Sequence, residues 1–185
     1  MINRGGEKVY PVELEAFLLS HPSVKEVGVI GVPDEVLGEQ VCAWIVLKAD
    51  KAPLTAKSVR AYCRKGKVLQ RAIPKYVFFL PDALPKTTSG KTHKPTLLNL
   101  FEEKRREYTT AKQREQLVES ENMDETEWKV LSAAREILTS GEDLGHEDLS
   151  LNDEFADVGF SSMQLVRLAT RLQQTLGITL PANVM

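Results

Sequence analysis

Three stretches of this 185-residue sequence hold residue types and spacings that could do chemistry: Gly90-Lys91-Thr92 within LPKTTSGKTHK, the adjacent hydroxyls Ser161 and Ser162 within DEFADVGFSSMQLVRL, and the pair Gly5-Gly6 within INRGGEKVYPVELE. A Gly-Lys-Thr triplet ends the phosphate-binding loop G-x-x-x-x-G-K-[ST], which lies between a strand and a helix. Counting back from Gly90, the first glycine of that pattern falls on Pro85. Proline has no N–H to offer a phosphate, so the usual cradle does not form. Lys91 is then either a solvated loop lysine or a cation with another task. A serine at a helix start commonly caps it. The same place suits a phosphodiester, because free N–H groups and the helix dipole favour an anion there. The Gly5-Gly6 pair fits a turn, or a place where a ligand passes close to the backbone. His21, His93 and His146 are too scattered for a metal site or a Ser-His-Asp constellation, with His93 a neighbour of the lysine loop. Cys42 and Cys63 lack metal-ligand spacing and sit in apolar or amphipathic runs, which predicts buried free thiols.

The elements that must position these groups follow from periodicity. YPVELEAFLLSHP has a proline in the first-turn position and reads as a short helix stopped before Pro22. VKEVGVIGV and QVCAWIVLK read as strands joined by the turn-rich PDEVLGE, and KYVFFLP as a third strand. LTAKSVRAYCRKG reads as a helix with Thr55 as N-cap, ending at Gly66. The lysine loop follows the third strand, and a helix enters near Pro95 and runs through LLNLFEEKRREY. Residues 1–103 therefore form an α+β unit, helices on a short sheet. Residues 104–123 are charged and poor in apolar side chains, which predicts a helix end followed by a linker. Residues 124–185 are all helical. ETEWKVLSAAREIL places Trp128, Leu131, Ala134 and Leu138 on one face, and SSMQLVRLATRLQQTL is a second amphipathic helix with Gly177 past its end. In that helix Met163, Val166 and Leu172 are expected to face the core, with Leu165 and Leu168 on neighbouring turns, leaving Ser162 at the exposed start.

Composition bounds the partners. The chain is 42% hydrophobic and 27% charged, as expected of one globular domain or two small ones. No apolar run reaches bilayer length, and no basic-then-apolar signal opens the chain, so no membrane partner and a cytoplasmic location are expected. The net charge of -2 hides a split. Residues 1–100 carry 15 Lys/Arg against 9 Asp/Glu, and residues 124–185 carry 4 against 11. Two units with different electrostatic partners are implied. The basic half lacks clustered Lys/Arg with interleaved aromatics, which argues against nucleic-acid binding.

PKTTSGKTHK resembles the final motif of adenylate-forming enzymes, the superfamily of acyl-CoA synthetases, peptide-synthetase adenylation domains and luciferases. The rest of residues 1–100 agrees in order. INRGGEKVYPVELE resembles the segment just after the hinge between the two subdomains, HPSVKEVGVIGVPDEVLGEQVCAWIVLK the strand pair that follows, and LTAKSVRAYCRKG with AIPKYVFFLPDALPKTTSGK the remainder of the small C-terminal subdomain. The resemblance implies that Lys91 enters the active site while the acyl-adenylate forms and stabilises charge electrostatically there. A flexible loop suits that role, since the subdomain then rotates for the second half-reaction. In that second state Gly5 and Gly6 would line a pantetheine tunnel. The hinge residue and the large subdomain holding the ATP and acid pockets would precede Met1, so the chain alone is not expected to adenylate. The style of RGGEKVYP leans toward an acid without an α-amino group.

DEFADVGFSSMQLVRL resembles the modification site of acyl and peptidyl carrier proteins, in which an acidic residue, an apolar one and Gly precede a serine followed by Leu or Met. Asp157, Val158 and Gly159 match; Ser162 is then the 4'-phosphopantetheine attachment residue and Met163 its follower, while Ser161 stands where many carriers have Asp or His. Carriers usually have further helices, so this one is expected to be incomplete at its C-terminal end. Together the resemblances imply part of a modular synthase or ligase, of the kind found in nonribosomal peptide and polyketide synthases. Such a protein would use ATP and Mg to make an acyl-AMP, then load the acyl group as a thioester on the Ser162 arm. Its partners would be the large adenylation subdomain, a phosphopantetheinyl transferase, a carboxylic acid and a downstream synthase domain. Two alternatives stay open: a non-catalytic carrier or docking module, and an acyl-CoA ligase fragment using free CoA.

Overall fold

A computed structural model describes residues 1–139, 149, 160 and 162–177, with the side chains of 108–109, 111–122 and 138–139 left aside. The chain divides into two compact units, Met1–Arg106 and Glu107–Met185.

The first unit is a five-stranded mixed sheet with helices. Strands β1 (Ile2–Arg4) and β2 (Glu7–Val9) form an antiparallel hairpin, followed by helix α1 (Pro11–Leu19). Proline opens α1, where a missing N–H costs nothing. Strands β3 (Val24–Asp34) and β4 (Gly38–Leu47) pair antiparallel, turned by Asp34, whose Oδ1 accepts the N–H groups of Val36 (3.1 Å) and Leu37 (3.0 Å). Burial raises the Asp34 pKa, but these two N–H groups and Lys75 outweigh it and hold the carboxyl below its ordinary value. Helix α2 (Ala56–Lys65) starts with a reciprocal Thr55–Ser58 capping box. Strand β5 (Tyr76–Leu80) lies parallel to β4 across Cys42–Val46, and β1 meets β4 at Gly38.

The sequence predicts three strands; the β1–β2 hairpin adds two. Its turn is Gly5-Gly6, with φ of 59° and 89°. Left-handed φ at both central residues is what a two-residue hairpin turn requires, and glycine supplies it without strain. Strand β4 is fully buried from Val41 through Val46, including Trp44 and Cys42. A run buried on both faces reads as continuous apolar sequence rather than alternation.

Helix α3 (Lys94–Asn122) buries Leu97 and Phe101 completely, with the Phe101 ring edge-on to Tyr76 at 5.1 Å. It does not stop near 104: its backbone stays helical through the charged run to Asn122, so a helix occupies most of the expected linker. Glu, Lys, Arg and Gln are good helix formers even without an apolar face.

In the second unit, α4 (Glu125–Thr139) begins at Asp124, whose Oδ1 accepts the N–H groups of Thr126 (2.7 Å) and Glu127 (2.8 Å) while Glu127 accepts the Asp124 N–H (3.1 Å). Helix α5 (Ser162–Leu176) ends at Gly177, φ 65°. The core joins Leu131, Ala133, Ala134, Leu149, Phe160, Leu168 and Leu172. Two expected core positions of α5 lie outside it: Met163 is 68% exposed and Val166 50%. Val166 and Leu172 are six residues apart, about 240° around a helix, so they cannot share a face. The inward stripe is Leu168, Ala169 and Leu172, buried, with Leu165 and Leu176 half-buried beside them. Trp128, in the first turn of α4, is likewise exposed. Among the described residues no helix is long and apolar enough to cross a membrane, and no cluster of three metal-ligating side chains occurs.

Candidate functional site

The lysine loop leaves β5 and enters α3, and three lysines ride on it. Lys86 pairs with Glu26 of β3 at 2.9 Å. Lys94 pairs with Glu15 of α1 at 3.0 Å and donates to the Val29 carbonyl of β3 at 2.9 Å. Glu15 also accepts the Val29 N–H at 2.8 Å. The hydrogen bond from Lys86 holds the Glu26 carboxyl below its ordinary pKa. Lys91 lies between these two anchored lysines at an exposed position, and no described residue gives its ammonium a hydrogen bond or an ion pair.

The loop backbone is closed on itself by hydrogen bonds. Lys86 and Thr92 form an antiparallel bridge, the His93 N–H reaches the Pro85 carbonyl at 2.7 Å, and the Gly90 N–H reaches Thr87 at 2.9 Å. The Lys91 side chain is a cation on a four-carbon stem beyond this hydrogen-bonded backbone. The loop approaches the sheet over Gly28 of β3. A Cβ built there would stand 3.2 Å from Leu97 Cδ1, 3.2 Å from Thr92 Cγ2 and 3.3 Å from Leu84 Cδ1. Glycine at this strand position lets both the loop and α3 seat against β3.

The Gly5-Gly6 turn is tied down by the Gly5 N–H to the Leu37 carbonyl at 2.8 Å. A Cβ on Gly6 would meet nothing within 4 Å, so the outer side of the turn is open. The turn geometry accounts for both glycines without a ligand.

In the second unit Ser162 is exposed at the first position of α5. A hydroxyl there faces water at the positive end of the helix dipole, a fit for a phosphodiester. Ser161, Asp157, Val158, Gly159 and His146 lie outside the described residues.

No local pattern points to Glu15 and Glu26 as partners of the loop, because Lys94 and Glu15 are 79 positions apart. The Gly-Gly hairpin did carry a signal, two glycines between short alternating runs.

The first unit presents a loop lysine unpaired among the described residues, and the second an exposed serine at a helix start. Residues 13–91 match the family described as AMP-binding enzyme C-terminal domain, and residues 132–185 match the phosphopantetheine attachment site family. Residues 13–91 are thus an AMP-binding enzyme C-terminal domain and residues 132–185 a phosphopantetheine-attachment carrier domain. It is similar to the mitochondrial medium-chain acyl-CoA ligase of Mus musculus, 47% identical over 103 residues that make up 56% of this chain and 16% of the relative. The Homo sapiens counterpart is 49% identical over 94 residues, 51% of this chain and 15% of the relative. Among solved structures, the acyl-CoA synthetase of Brucella canis is similar at 32% identity and a TM-score of 0.50, covering 56% of this chain and 19% of that one. The chain thus spans less than a fifth of the length of these relatives. The carrier family bears 4'-phosphopantetheine, and the adenylating family uses ATP and Mg.

Proposed function

We propose that this chain is the mobile subdomain and carrier of a ligase that activates a carboxylic acid as acyl-AMP and loads it as a thioester. The observation that carries this reading is the Lys91 ammonium, unpaired among the described residues at the tip of a loop whose other two lysines are anchored. In adenylation the acid's carboxylate oxygen attacks the α-phosphate of ATP and pyrophosphate leaves. Both reactants are anions, so a preorganised ammonium beside them lowers the barrier. Lys91 supplies that charge and takes no covalent part. Ser162 holds the carrier's phosphopantetheine, which supplies the acceptor thiol. Gly5 and Gly6 form the open turn past which that arm runs. Residues 1–103 are the moving subdomain, 104–123 its link to the carrier and 124–185 the carrier itself. The likeness to acyl-CoA ligases supports an acid without an α-amino group. The missing partners are a large adenylation subdomain, a phosphopantetheinyl transferase and a downstream synthase domain.

The names of the relatives favour a second acceptor, free CoA. One experiment separates the two. The chain is joined to the large subdomain of an acyl-CoA synthetase, treated with a phosphopantetheinyl transferase and CoA, and given ATP and acid. Acid-dependent ATP–pyrophosphate exchange that falls by about two to three orders of magnitude in Lys91→Ala supports the reading. Acyl mass on the protein, lost in Ser162→Ala, assigns the carrier as acceptor; acyl-CoA in solution with no protein-bound acyl assigns free CoA. Arm attachment persisting in Ser162→Ala would remove that serine from the site.

A further inference from the structure

Lys91 owes its place to one neighbour. The Thr87 N–H donates to the Lys91 carbonyl at 2.7 Å, and the Lys91 N–H donates to Thr87 Oγ1 at 3.2 Å. Thr87 Oγ1 also lies 3.2 Å from the Lys91 carbonyl and 2.9 Å from Ser89 Oγ. A hydroxyl has one proton to give and two lone pairs to receive. If Thr87 donates to the Lys91 carbonyl, it must accept from both the Lys91 N–H and the Ser89 hydroxyl, and its capacity is then full. Both polar groups of the Lys91 peptide are thus bound to a single residue four positions earlier. The Lys86–Thr92 bridge surrounds this pair, and the Lys86–Glu26 and Lys94–Glu15 ion pairs fasten the two loop ends to β3 and α1.

We propose that Thr87 is a positioning residue for adenylation: its hydroxyl fixes the backbone of Lys91, so that the ammonium reaches the reacting oxygens along one path. The proposal rests on the role given to Lys91 above. A lysine stem has four rotatable bonds, so a wandering backbone would add its own scatter to that of the side chain. Displacement of a charged group by about 1 Å costs up to about a hundredfold in rate. The hydroxyl, and not the β-branch, carries the effect, so Thr87→Val keeps the shape and removes the function. Thr87→Ser keeps the hydroxyl.

The test uses two measurements. On the chain itself, amide hydrogen exchange at Lys91 should speed up about twofold to tenfold in Thr87→Val, the loss of one hydrogen bond, and return toward wild type in Thr87→Ser. In the chain joined to the large subdomain of an acyl-CoA synthetase, Thr87→Val should lower kcat for acyl-AMP formation about tenfold to a hundredfold with KM for ATP and acid unchanged. Thioester formation from supplied acyl-AMP should keep its wild-type rate, since the lysine loop is then away from the site. Thr87→Ser should restore adenylation. Equal slowing of both half-reactions, or no rescue by serine, would make Thr87 a stability residue and overturn the proposal. Full adenylation in Thr87→Val, with Lys91→Ala still defective, would overturn the proposal while leaving the Lys91 role standing. Full adenylation in Lys91→Ala would remove that role and this one with it.

Discussion

Replacing Gly28 with alanine tests whether the lysine loop is seated by a missing side chain. Gly28 lies in β3 opposite Trp44 of β4, and its φ is outside the left-handed region. Alanine can therefore adopt the backbone without strain, and two opposing effects remain. A strand glycine carries excess unfolded-state freedom, so alanine there gains about 0.5–1 kcal/mol. Against this, the new methyl meets three carbons at 3.2, 3.2 and 3.3 Å, from Leu97, Thr92 and Leu84. Leu97 and Leu84 are 0% and 3% exposed, so they have no solvent to retreat into. Overpacking of this kind costs about 1–3 kcal/mol. At the middle of the two ranges the cost wins by about 1.25 kcal/mol, within limits of roughly 0 and 2.5 kcal/mol, and Tm falls by roughly 5–10 °C for a domain of this size. Trp44 is fully buried in this unit and Trp128 is exposed in the other, so a Trp128→Phe background makes tryptophan fluorescence report the first unit alone. Gly28→Val adds two more carbons and should melt lower still. A Gly28→Ala protein as stable as wild type, or more so, would show that the loop and α3 do not bear on this strand, and the seating argument would fail.

Other perturbations follow from the same geometry. Gly6→Ala has room for its methyl but must hold φ at 89°, so its denaturant midpoint should fall by the equivalent of about 1–2 kcal/mol; Gly5→Ala, whose Cβ would also stand 2.9 Å from Leu37 Cδ2, should fall further. Equal midpoints for Gly6→Ala and wild type would contradict the hairpin turn. Burial pushes the Cys42 thiol strongly upward and that of Cys63 up to about 12, the latter against the smaller lowering by Arg64 and Arg60. Neither should be alkylated at pH 8 in the folded protein and both should react in denaturant; a native thiol reacting as fast as free cysteine would refute their burial. The lowered pKa of Glu26 means its contribution is fully present above the ordinary glutamate value and is lost as pH falls through the folded one. Because Lys86 is half-exposed, the pair is worth only roughly 0.2–1 kcal/mol. Glu26→Gln should therefore be slightly less stable at pH 7 and converge with wild type as the pH falls through the lowered Glu26 pKa, and a gap that stays constant into acid would exclude the pair as the cause.

The first unit was legible wherever local rules decide. Pro11, the Thr55 cap and Gly66 bound their helices as periodicity and capping predict. What stayed hidden is non-local. The parallel pairing of β5 on β4, the ion pairs that fasten the loop, and the contact of Leu97 with Gly28 join residues far apart in sequence, and no spacing rule reaches that distance. Pro, Ser, Thr and Gly dominate the lysine loop, and composition alone reveals no internal bonding there. Those same residues also make side chain–backbone hydrogen bonds, and Thr87 uses its hydroxyl to close the turn instead of loosening it.

In the second unit the exposed position of Ser162 agrees with a register argument whose other premises fail. Ser162 was placed at the exposed helix start on the premise that Met163, Val166 and Leu172 face inward. Met163 and Val166 in fact face solvent, and Leu165, Leu168, Ala169, Leu172 and Leu176 form the inner stripe. The helix holds apolar residues on more than one stripe, so hydrophobicity alone does not choose the face. The spacing of three and four between successive leucines and Ala169 does, because it closes one turn at a time. With that face inward, Ser162 and its follower Met163 both stand at the open end of α5. The serine's exposure then follows from its place before the first buried turn, and the apolar Met163 and Val166 remain uncovered within a turn of it.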